Sequence, residues 1–472
     1  MSRRKFLRQS ALLSSAVILR PALSWAGQKE FPVVRIPEAQ RKFRSEAVEK
    51  AIAAVKSKST NTELSWLFEN CFPNTLDTTV EYKMKDGRPD TYVITGDIDA
   101  MWLRDSTAQV SPYLPLVKED EQLRHLIAGV INHQVKCVLK DPYANAFYGD
   151  ETKQGEWKSD LTDMKPGIHE RKWEIDSLCY PIRLGYQYWK ITGDSSPFDA
   201  TWKQSIELTL KTFKEQQRKD GPGPYHFQRT TSWATDGVPI GGYGYPVKPV
   251  GLICSIFRPS DDATIFPFLV PSNFFAVVSL RQAAEMVQAF HKDANLANAC
   301  RTLATEVENA LQKYAIVTHP QFGKVYAFEV NGFGSFNLMD DANVPSLLAL
   351  PYLGAIKPND PVYINTRKLV LSSENPFFFS GKAGKGIGSP HTGMNKIWPI
   401  SLVIQGLTSN NDAEIKQCLQ TLQKSHAGKG FMHESFDKDD PAKFSRSWFA
   451  WANTIFGEFI WKVYKERPHL LK

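Results

Sequence analysis

Apolar side chains recur at intervals of three and four residues along most of this chain, which is the pattern of helices that bury one face. Two such series are Leu178, Ile182, Tyr186 and Trp189, and Leu296, Leu303, Val307 and Leu311. One hairpin is predicted, with strands from Thr79 to Met84 and from Thr91 to Thr95. They flank Asp86-Gly87, and an Asp-Gly pair between two strand-like segments is a strong turn signal. The chain is therefore predicted to be mainly helical.

The order of the predicted helices indicates a ring. Six of them begin near residues 102, 175, 272, 341, 396 and 447, and each follows a loop rich in Gly, Pro, aromatic and acidic residues. The first five are each followed closely by another helix, and the helix predicted for residues 37–58 could pack beside the sixth. Six such pairs form an (α/α)6 barrel, an all-α fold in which these loops lie at one end. Because no Ser/Pro-rich linker divides residues 27–472, we predict one domain with long loops.

The first 26 residues predict a twin-arginine signal peptide. Ser2-Arg-Arg-Lys-Phe-Leu7 matches the export motif, an apolar run follows from Ala11 to Leu19, and Ser24-Trp25-Ala26 supplies a small-residue cleavage pattern. Cleavage after Ala26 would release the domain into the periplasm or the extracellular space. The alternative is a cytoplasmic protein with a basic N-terminus. No other segment is apolar for long enough to span a bilayer, so the mature chain is predicted to have no membrane span.

Charge and cysteine usage argue against several classes of protein. The signal segment contains five basic and no acidic residues, so the mature chain has a net charge of about +2. It lacks a Lys/Arg run or an RNA-binding aromatic motif, so we expect a neutral substrate and no nucleic-acid partner. The six cysteines are scattered without a C-x-x-C pair, and most are predicted to be small core residues. No metal or cofactor is expected. A single disulfide that forms after export is the alternative to six free cysteines.

The loops before the six helices contain the candidate site residues. Acidic, Arg, His and Trp side chains recur in them. Charged groups can form two hydrogen bonds with adjacent sugar hydroxyls, and aromatic rings pack against the C–H face of a sugar. The candidate sugar-binding residues are Asp97, Asp99, Trp102, Arg104, Asp105, Glu174, Asp176, Arg258, Asp262, His391, Thr392, His433 and Arg446. The segment from Gly221 to Pro249 is either a lid over the leaving-group sugar or an inert packed loop.

Several of these candidates also have a structural interpretation. If Asp97-Ile98-Asp99 is extended, its two carboxylates face the same side and can hold a sugar together. Arg104 and Asp105 could instead form a buried ion pair, and the same alternative holds for Glu174 and Asp176. A histidine in a loop, such as His391 beside Thr392, is often only hydrogen-bonded structure.

Two short segments contain acids suited to cleaving a glycosidic bond, a reaction that needs only two carboxyl groups. Phe257-Arg-Pro-Ser-Asp-Asp262 has adjacent acids, and mutual repulsion is expected to raise the pKa of one of them, as a general acid requires. The residues leave open which one it is, and a helix cap is the alternative. His433-Glu-Ser-Phe436 offers Glu434 as a base that activates water, or as a surface glutamate. The second histidine of a zinc motif is missing.

Three segments resemble those of glycoside hydrolase family 125, the metal-independent exo-α-1,6-mannosidases. They are Gly96-Asp-Ile-Asp-Ala-Met-Trp-Leu-Arg-Asp-Ser106, Phe257-Arg-Pro-Ser-Asp-Asp262 and His433-Glu-Ser-Phe436. The resemblance covers the whole mature chain and implies an (α/α)6 catalytic domain, attack at the non-reducing end of α-mannoside glycans or oligosaccharides, and inversion without a metal. By motif position, Asp261 matches the general acid and Glu434 the general base. A glucoside hydrolase or sugar epimerase of the same fold, and a non-catalytic glycan-binding protein, are the alternatives.

Overall fold

Long helices alternate with loops throughout the computed structural model, which describes residues 31–472. The predicted signal peptide lies outside the described residues. The α-helices within them are α1 (Glu46–Lys58), α2 (Thr62–Cys71), α3 (Asn74–Thr78), α4 (Leu103–Val110), α5 (Glu121–Lys140), α6 (Ile175–Thr192), α7 (Ala200–Gln216), α8 (Val270–His291), α9 (Ala294–Tyr314), α10 (Pro361–Val370), α11 (Pro399–Leu407), α12 (Asp412–Ser425) and α13 (Ala450–Glu466).

The barrel is built around an inner ring of helices that pack on one another. Helix α4 packs against α6, α6 against α8, and α13 against both α4 and α11. Helices α6 and α8 are buried on nearly all sides in their N-terminal halves, whereas the outer helices α7 and α9 bury one stripe. A helix without a polar face is stable only inside a protein, so these residues belong to the interior of an (α/α)6 barrel, as the sequence predicts.

Helix starts differ between the two layers. Outer helices begin with side-chain caps from Ser45, Asn61, Asp120, Asp199, Asp293, Asp360 and Asn411. The inner helices α4, α6, α8, α11 and α13 have no side-chain cap. Their N-termini follow the loops with the candidate residues, and a helix N-terminus favours nearby negative charge. The loop end of the barrel is therefore suited to holding carboxylates.

The fourth member of the ring is not a regular helix, so that prediction is wrong. The chain between residues 341 and 357 forms bends and turns. Pro345 and Pro351 remove backbone N–H donors that a helix there would need. The segment still lies inside the ring, because Tyr180 of α6 donates to the Val344 carbonyl (2.8 Å) and Tyr352 donates to Glu458 of α13 (2.9 Å).

The N-terminal part of the described chain packs on the last inner helix, α13, and closes the ring. The region predicted as one helix over residues 37–58 contains a 3-10 turn at Glu38–Gln40 followed by α1. Lys58 at the end of α1 lies 5.4 Å from the Tyr464 ring of α13. The unpredicted helix α2 also packs on α13, where the Phe72 and Trp461 rings stack at 6.5 Å.

Short strands link the loops at the site end. The strands are β1 (Val80–Lys85), β2 (Arg88–Val93), β3 (Met101–Trp102), β4 (Ala146–Phe147), β5 (Ile168–Glu170), β6 (Phe268–Leu269), β7 (Ile316–His319), β8 (Gly323–Tyr326), β9 (Glu329–Val330), β10 (Phe336–Asn337), β11 (Phe378–Ser380), β12 (Lys385–Ile387), β13 (Lys396–Ile397) and β14 (Phe436–Asp437). They form three-stranded sheets β3–β4–β5 and β10–β9–β6 and four pairs, β1–β2, β7–β8, β11–β12 and β13–β14. Strands β3, β6 and β13 directly precede α4, α8 and, one residue later, α11, which anchors the starts of these inner helices.

The predicted hairpin is confirmed as β1 and β2, paired from Val80 with Val93 to Lys85 with Arg88. Asp86 and Gly87 have φ of 52° and 75°, as a tight two-residue hairpin turn requires. The cysteines are all buried and unpaired, which confirms most of them as core residues. Within residues 31–472, every helix is too short or too polar to cross a membrane.

Candidate active site

One guanidinium, that of Arg104 near the start of α4, organises the loop end of the barrel. Its Nη1 lies 2.6 Å from Glu174 Oε2 and 3.3 Å from Asp176 Oδ2. Its Nη2 donates to Asp261 Oδ1 at 3.1 Å, and its Nε lies 3.3 Å from Asp105 Oδ2. Four carboxyl groups from three parts of the chain thus surround one cation.

Burial decides which of these carboxyl groups hold protons. Burial far from water raises the pKa of Glu174 well above its usual range, although Arg104 opposes the shift. The same cause raises the pKa of Asp105 and Asp176 to about 6. Asp261 is different, because Arg104 and Lys172 outweigh burial and hold its pKa below its usual range. Burial thus favours the protonated form of Glu174, whereas its surroundings favour the carboxylate form of Asp261.

Asp261 occupies a strained turn that aims it at Arg104. Its φ of 65° lies in the left-handed region, which Asp tolerates better than most residues. Its amide donates to the Arg258 carbonyl at 2.8 Å, and its own carbonyl accepts from Lys172 Nζ at 2.8 Å. Asn145 Nδ2 adds a second donor to the carboxylate, 3.3 Å from Oδ1. The side chain is 23% exposed, so it reaches the open part of the site.

Asp262 turns away from Asp261 and pairs with His391. Its Oδ2 accepts from Ser260 Oγ at 2.8 Å, and its Oδ1 lies 3.5 Å from His391 Nδ1. Burial disfavours both charges, but their mutual attraction outweighs it, lowering the pKa of Asp262 and raising that of His391 to about 9. The expectation that repulsion raises the pKa of one of the two neighbouring acids is wrong, because each carboxylate has its own cation.

Glu434 lies in the loop before α13, opposite a second arginine. Arg446 Nε is 3.4 Å from Glu434 Oε1, and Arg446 Nη1 donates to Asp97 Oδ1 at 3.2 Å. The Glu434 side chain is 8% exposed, which excludes the interpretation as a surface glutamate. His433 supports the loop from behind, since its ring stacks on Phe444 at 4.0 Å and its Nδ1 donates to the Arg446 carbonyl. Burial lowers the pKa of His433 to about 4, so its ring is neutral.

Asp261 and Glu434 belong to one site. The charges of His391 and Arg446 both interact with each of these carboxylates. Arg104 also faces the ring of Trp451, 6.0 Å away on the first turn of α13. The loops before α4, α6, α8, α11 and α13 therefore supply the groups of a single cleft, as the ring order predicts.

The other candidates are placed less directly. Gly96, with φ of 63°, and a bridge between Thr95 and Ile98 make a tight turn, so the extended arrangement expected for Asp97 and Asp99 is wrong. Asp97 contacts Arg446, whereas Asp99 accepts from Lys153 at 2.8 Å on the exposed rim.

Trp102, Arg258 and Thr392 all have partners inside the protein. The Trp102 ring packs edge-on against His169 at 5.0 Å. Arg258 is buried and donates to Glu329 at 2.7 Å, which makes it a structural ion pair. Thr392 Oγ1 accepts from Trp398 Nε1 at 2.8 Å, so its hydroxyl proton stays available for another acceptor.

A second charged network beside Asp261 escaped sequence reasoning. Lys172 Nζ contacts Asp236 Oδ1 at 2.9 Å and Glu170 Oε1 at 3.3 Å. Arg229 Nη2 lies 2.9 Å from the same Glu170 oxygen, and its guanidinium lies 3.7 Å above the Trp157 ring. Lys172 lies in the candidate loop before α6. The other members of this network have no recognisable sequence signal, because they meet only in the folded protein.

The segment from Gly221 to Pro249 adjoins the site. The Ala263 amide donates to the Thr235 carbonyl at 2.7 Å, and Asp236 binds Lys172. Trp233 beside them is 43% exposed. This part of the segment therefore borders Asp261. In the described chain, no three or more His, Cys, Asp and Glu side chains are grouped so as to hold a metal ion.

Comparisons with known proteins agree with this geometry. A family model described as metal-independent α-mannosidase (GH125) matches residues 61–461. The meiotically up-regulated gene 157 protein of Schizosaccharomyces pombe is 42% identical over 95% of this chain and 93% of its own length. A metal-independent α-mannosidase structure from Streptococcus pneumoniae, a non-productive complex with α-1,6-mannobiose, superposes with a TM-score of 0.87 at 43% identity, covering 90% of this chain and all of the other.

More distant structures share only the fold. A bacterial glucoamylase complexed with acarbose aligns with a TM-score of 0.53 at 14% identity, over 90% of this chain and 57% of its own. The family match and the two relatives, by contrast, extend over nearly the whole barrel and all the loops of the site. The chain therefore belongs to glycoside hydrolase family 125, the metal-independent α-mannosidases.

Proposed function

We propose that this protein is an exo-acting, inverting α-1,6-mannosidase in which Asp261 is the general acid and Glu434 the general base. The observation that carries the proposal is the different surroundings of two carboxyl groups in one cleft. Asp261 is hydrogen-bonded to Arg104 and interacts with Glu174, whose pKa is raised by burial, whereas Glu434 faces Arg446. One group thus lies beside a carboxyl group with a raised pKa, and the other lies 3.4 Å from an arginine.

Asp261 suits the role of acid because it is the most accessible member of the Arg104 cluster. Its side chain is 23% exposed, against 5% for Asp105 and 0% for Glu174 and Asp176. A general acid must reach the glycosidic oxygen within hydrogen-bond distance. Asp262, the other candidate, is buried and already bound to Ser260 and His391.

Glu434 suits the role of base because, among residues 31–472, its ion-pair partner is Arg446, whose Nε lies 3.4 Å from Oε1. An ionised carboxylate that keeps lone pairs open can take a proton from an attacking water. If water attacks from the face opposite the leaving group, the two carboxyl groups should lie roughly 6.5–9.5 Å apart with substrate bound. The product would then be β-mannose.

The substrate assignment rests on family membership and on the relative solved with α-1,6-mannobiose. His391 and His433, which an epimerase could use to shuttle protons, do not form a pair here. His433 is 1% exposed and stacked on Phe444, and His391 is bound to Asp262. A pure glycan-binding protein would not need the buried carboxyl groups with raised pKa around Arg104.

Three measurements test the proposal. Free mannose should be released from α-1,6-mannobiose faster than from the α-1,2 and α-1,3 isomers. Proton NMR should show β-mannose before mutarotation. Asp261→Asn and Glu434→Gln should each stay folded, bind sugar and turn over about 10²–10⁴-fold more slowly. Early α-mannose, or near-normal turnover in either variant, would contradict the assigned mechanism.

We further propose that the protein is exported by the twin-arginine route and acts in the periplasm or outside the cell. The support is the motif Ser2-Arg-Arg-Lys-Phe-Leu7 with its apolar run and cleavage pattern. Replacing Arg3 and Arg4 with lysine should retain the enzyme in the cytoplasm, whereas lysine at Arg8 should not. Equal export of both variants would contradict this route.

A further inference from the structure

Glu174 lies behind Asp261 on the buried side of the site. The Glu174 side chain is fully buried, and that of Asp261 is 23% exposed. The Arg104 guanidinium bridges them, with Nη1 2.6 Å from Glu174 Oε2 and Nη2 3.1 Å from Asp261 Oδ1. The interaction between the two carboxyl groups raises the pKa of Glu174 and lowers that of Asp261, so it favours the proton on Glu174. Asp261 is therefore the member of this pair that solvent and substrate can reach.

The two oxygens of Glu174 have different surroundings. Oε2 accepts from Arg104 Nη1 and from Ser177 Oγ, the latter at 2.9 Å. Oε1 is buried and accepts no hydrogen bond from any of residues 31–472. An ionised carboxylate would leave that oxygen unpaired beside another carboxylate, which is costly in a buried site. A protonated Oε1 instead supplies an O–H that donates to Asp261.

The charges around the pair favour one shared proton. The charged groups facing it are Arg104, Asp105, Asp176, Glu170, Lys172, His391 and Arg446. Arg104 and Asn145 donate to Asp261 and so favour its carboxylate form. Asp261 alone would therefore have difficulty in keeping the proton that a general acid must deliver.

We propose that Glu174 stores the proton that Asp261 delivers to the glycosidic oxygen, so that the two carboxyl groups work as a pair sharing one proton. As the bond from the anomeric carbon to the leaving oxygen breaks, the shared proton passes from Glu174 to Asp261 and from Asp261 to that oxygen, which leaves both carboxyl groups ionised. Arg104 then holds the Glu174 carboxylate.

Water balances the remainder of the reaction. Its oxygen bonds to the anomeric carbon, and one of its protons passes to Glu434 and from there to solvent, which returns a proton to the acid pair. Glu174 is a positioning residue in this scheme, because it acts through Asp261. The inference rests on the proposed role of Asp261 as general acid.

Glu174→Gln tests the idea directly. The glutamine carbonyl can still accept from Arg104 and Ser177, and its amide can donate to Asp261, but it has no proton to transfer. With α-1,6-mannobiose at pH 7, kcat/KM should fall at least about 10²-fold and recover as the pH is lowered, because Asp261 must bind the proton alone. With α-mannosyl fluoride, whose leaving group needs little protonation, kcat should stay within a few-fold of wild type.

Ser177→Ala is a milder second variant, and it should shift the alkaline limb of the pH profile in the opposite direction. It removes a donor to the Glu174 carboxylate, so the alkaline limb of kcat/KM should move to higher pH, whereas Glu174→Gln moves it to lower pH. Glu458→Gln is the matched control, since burial also raises the pKa of Glu458 on α13, but Glu458 accepts its hydrogen bond from Tyr352. It should keep the wild-type alkaline limb.

The possible failures can be told apart. If Glu174→Gln keeps the wild-type alkaline limb, or loses equal activity on both substrates, the proton-storing role is overturned while Asp261 can still be the acid. If Ser177→Ala leaves the alkaline limb where it is, or lowers it, the pair does not share its proton. If Asp261→Asn slows both substrates equally, the role of Asp261 as acid fails, and the role of Glu174 fails with it.

Discussion

The charge on His391 should make the stability of this protein depend on pH above neutrality. His391 Nδ1 lies 3.5 Å from Asp262 Oδ1. Burial opposes the charge, but Asp262, helped by Glu434 and Asp261, raises the pKa of His391 from 6.5 to about 9. Because the folded value lies above the unfolded value, this stabilisation is complete below pH 6.5 and disappears as the pH rises through about 9.

The pKa difference sets the size of the effect. Each unit corresponds to 1.36 kcal/mol, so a shift from 6.5 to about 9 is equivalent to at most about 3 kcal/mol of unfolding free energy. The imidazole is 22% exposed, and solvent screening reduces the expected value to about 2–3 kcal/mol. Urea unfolding of wild type and His391→Gln at pH 6, 7.5, 9 and 10 measures it.

The difference in stability between the two proteins should shrink by about 2–3 kcal/mol from pH 6 to pH 10. His469→Gln is the control, because His469 pairs with Asp412 at 2.7 Å on the exposed surface. Such pairs contribute about 0–1 kcal/mol, so this variant should differ little from wild type at any pH. A His391→Gln difference that stays constant from pH 6 to pH 10 would refute the inference that His391 is a cation in the folded site.

Three further predictions concern packing, buried charge and metals. Gly457→Ala should destabilise the protein by about 1–3 kcal/mol, because the added methyl would clash with Phe72 Cδ2 and lie 2.9 Å from its Cα. Gly185→Ala is the control: its nearest contact would be a side-chain atom at 3.1 Å, so it should destabilise the protein less in thermal or urea unfolding. Arg258→Met should cost about 3–5 kcal/mol by leaving Glu329 buried without its cation, and adding Glu329→Gln should restore part of that loss. EDTA should leave mannosidase activity unchanged; inactivation that Ca²⁺ or Zn²⁺ reverses would contradict metal-independent hydrolysis.

Much of this fold is encoded locally. The helix starts expected near residues 102, 175, 272, 396 and 447 are found at Leu103, Ile175, Val270, Pro399 and Ala450. Apolar periodicity identifies these helices because each one must bury its side chains against neighbours. The Asp86-Gly87 turn was equally predictable, since its positive φ angles restrict which residues can occupy it. The motifs around Asp261 and Glu434 were likewise readable, because each is contiguous in sequence.

Tertiary structure decided which groups meet. Asp261 and Asp262 are neighbours in sequence, yet their carboxylates have separate cations, Arg104 and His391. Arg104 and Asp261 are 157 positions apart, and the proton shared by Asp261 and Glu174 depends on burial that no local pattern encodes. The pKa of a group depends on which groups surround it in space. Those surroundings are fixed only when the ring of helices closes.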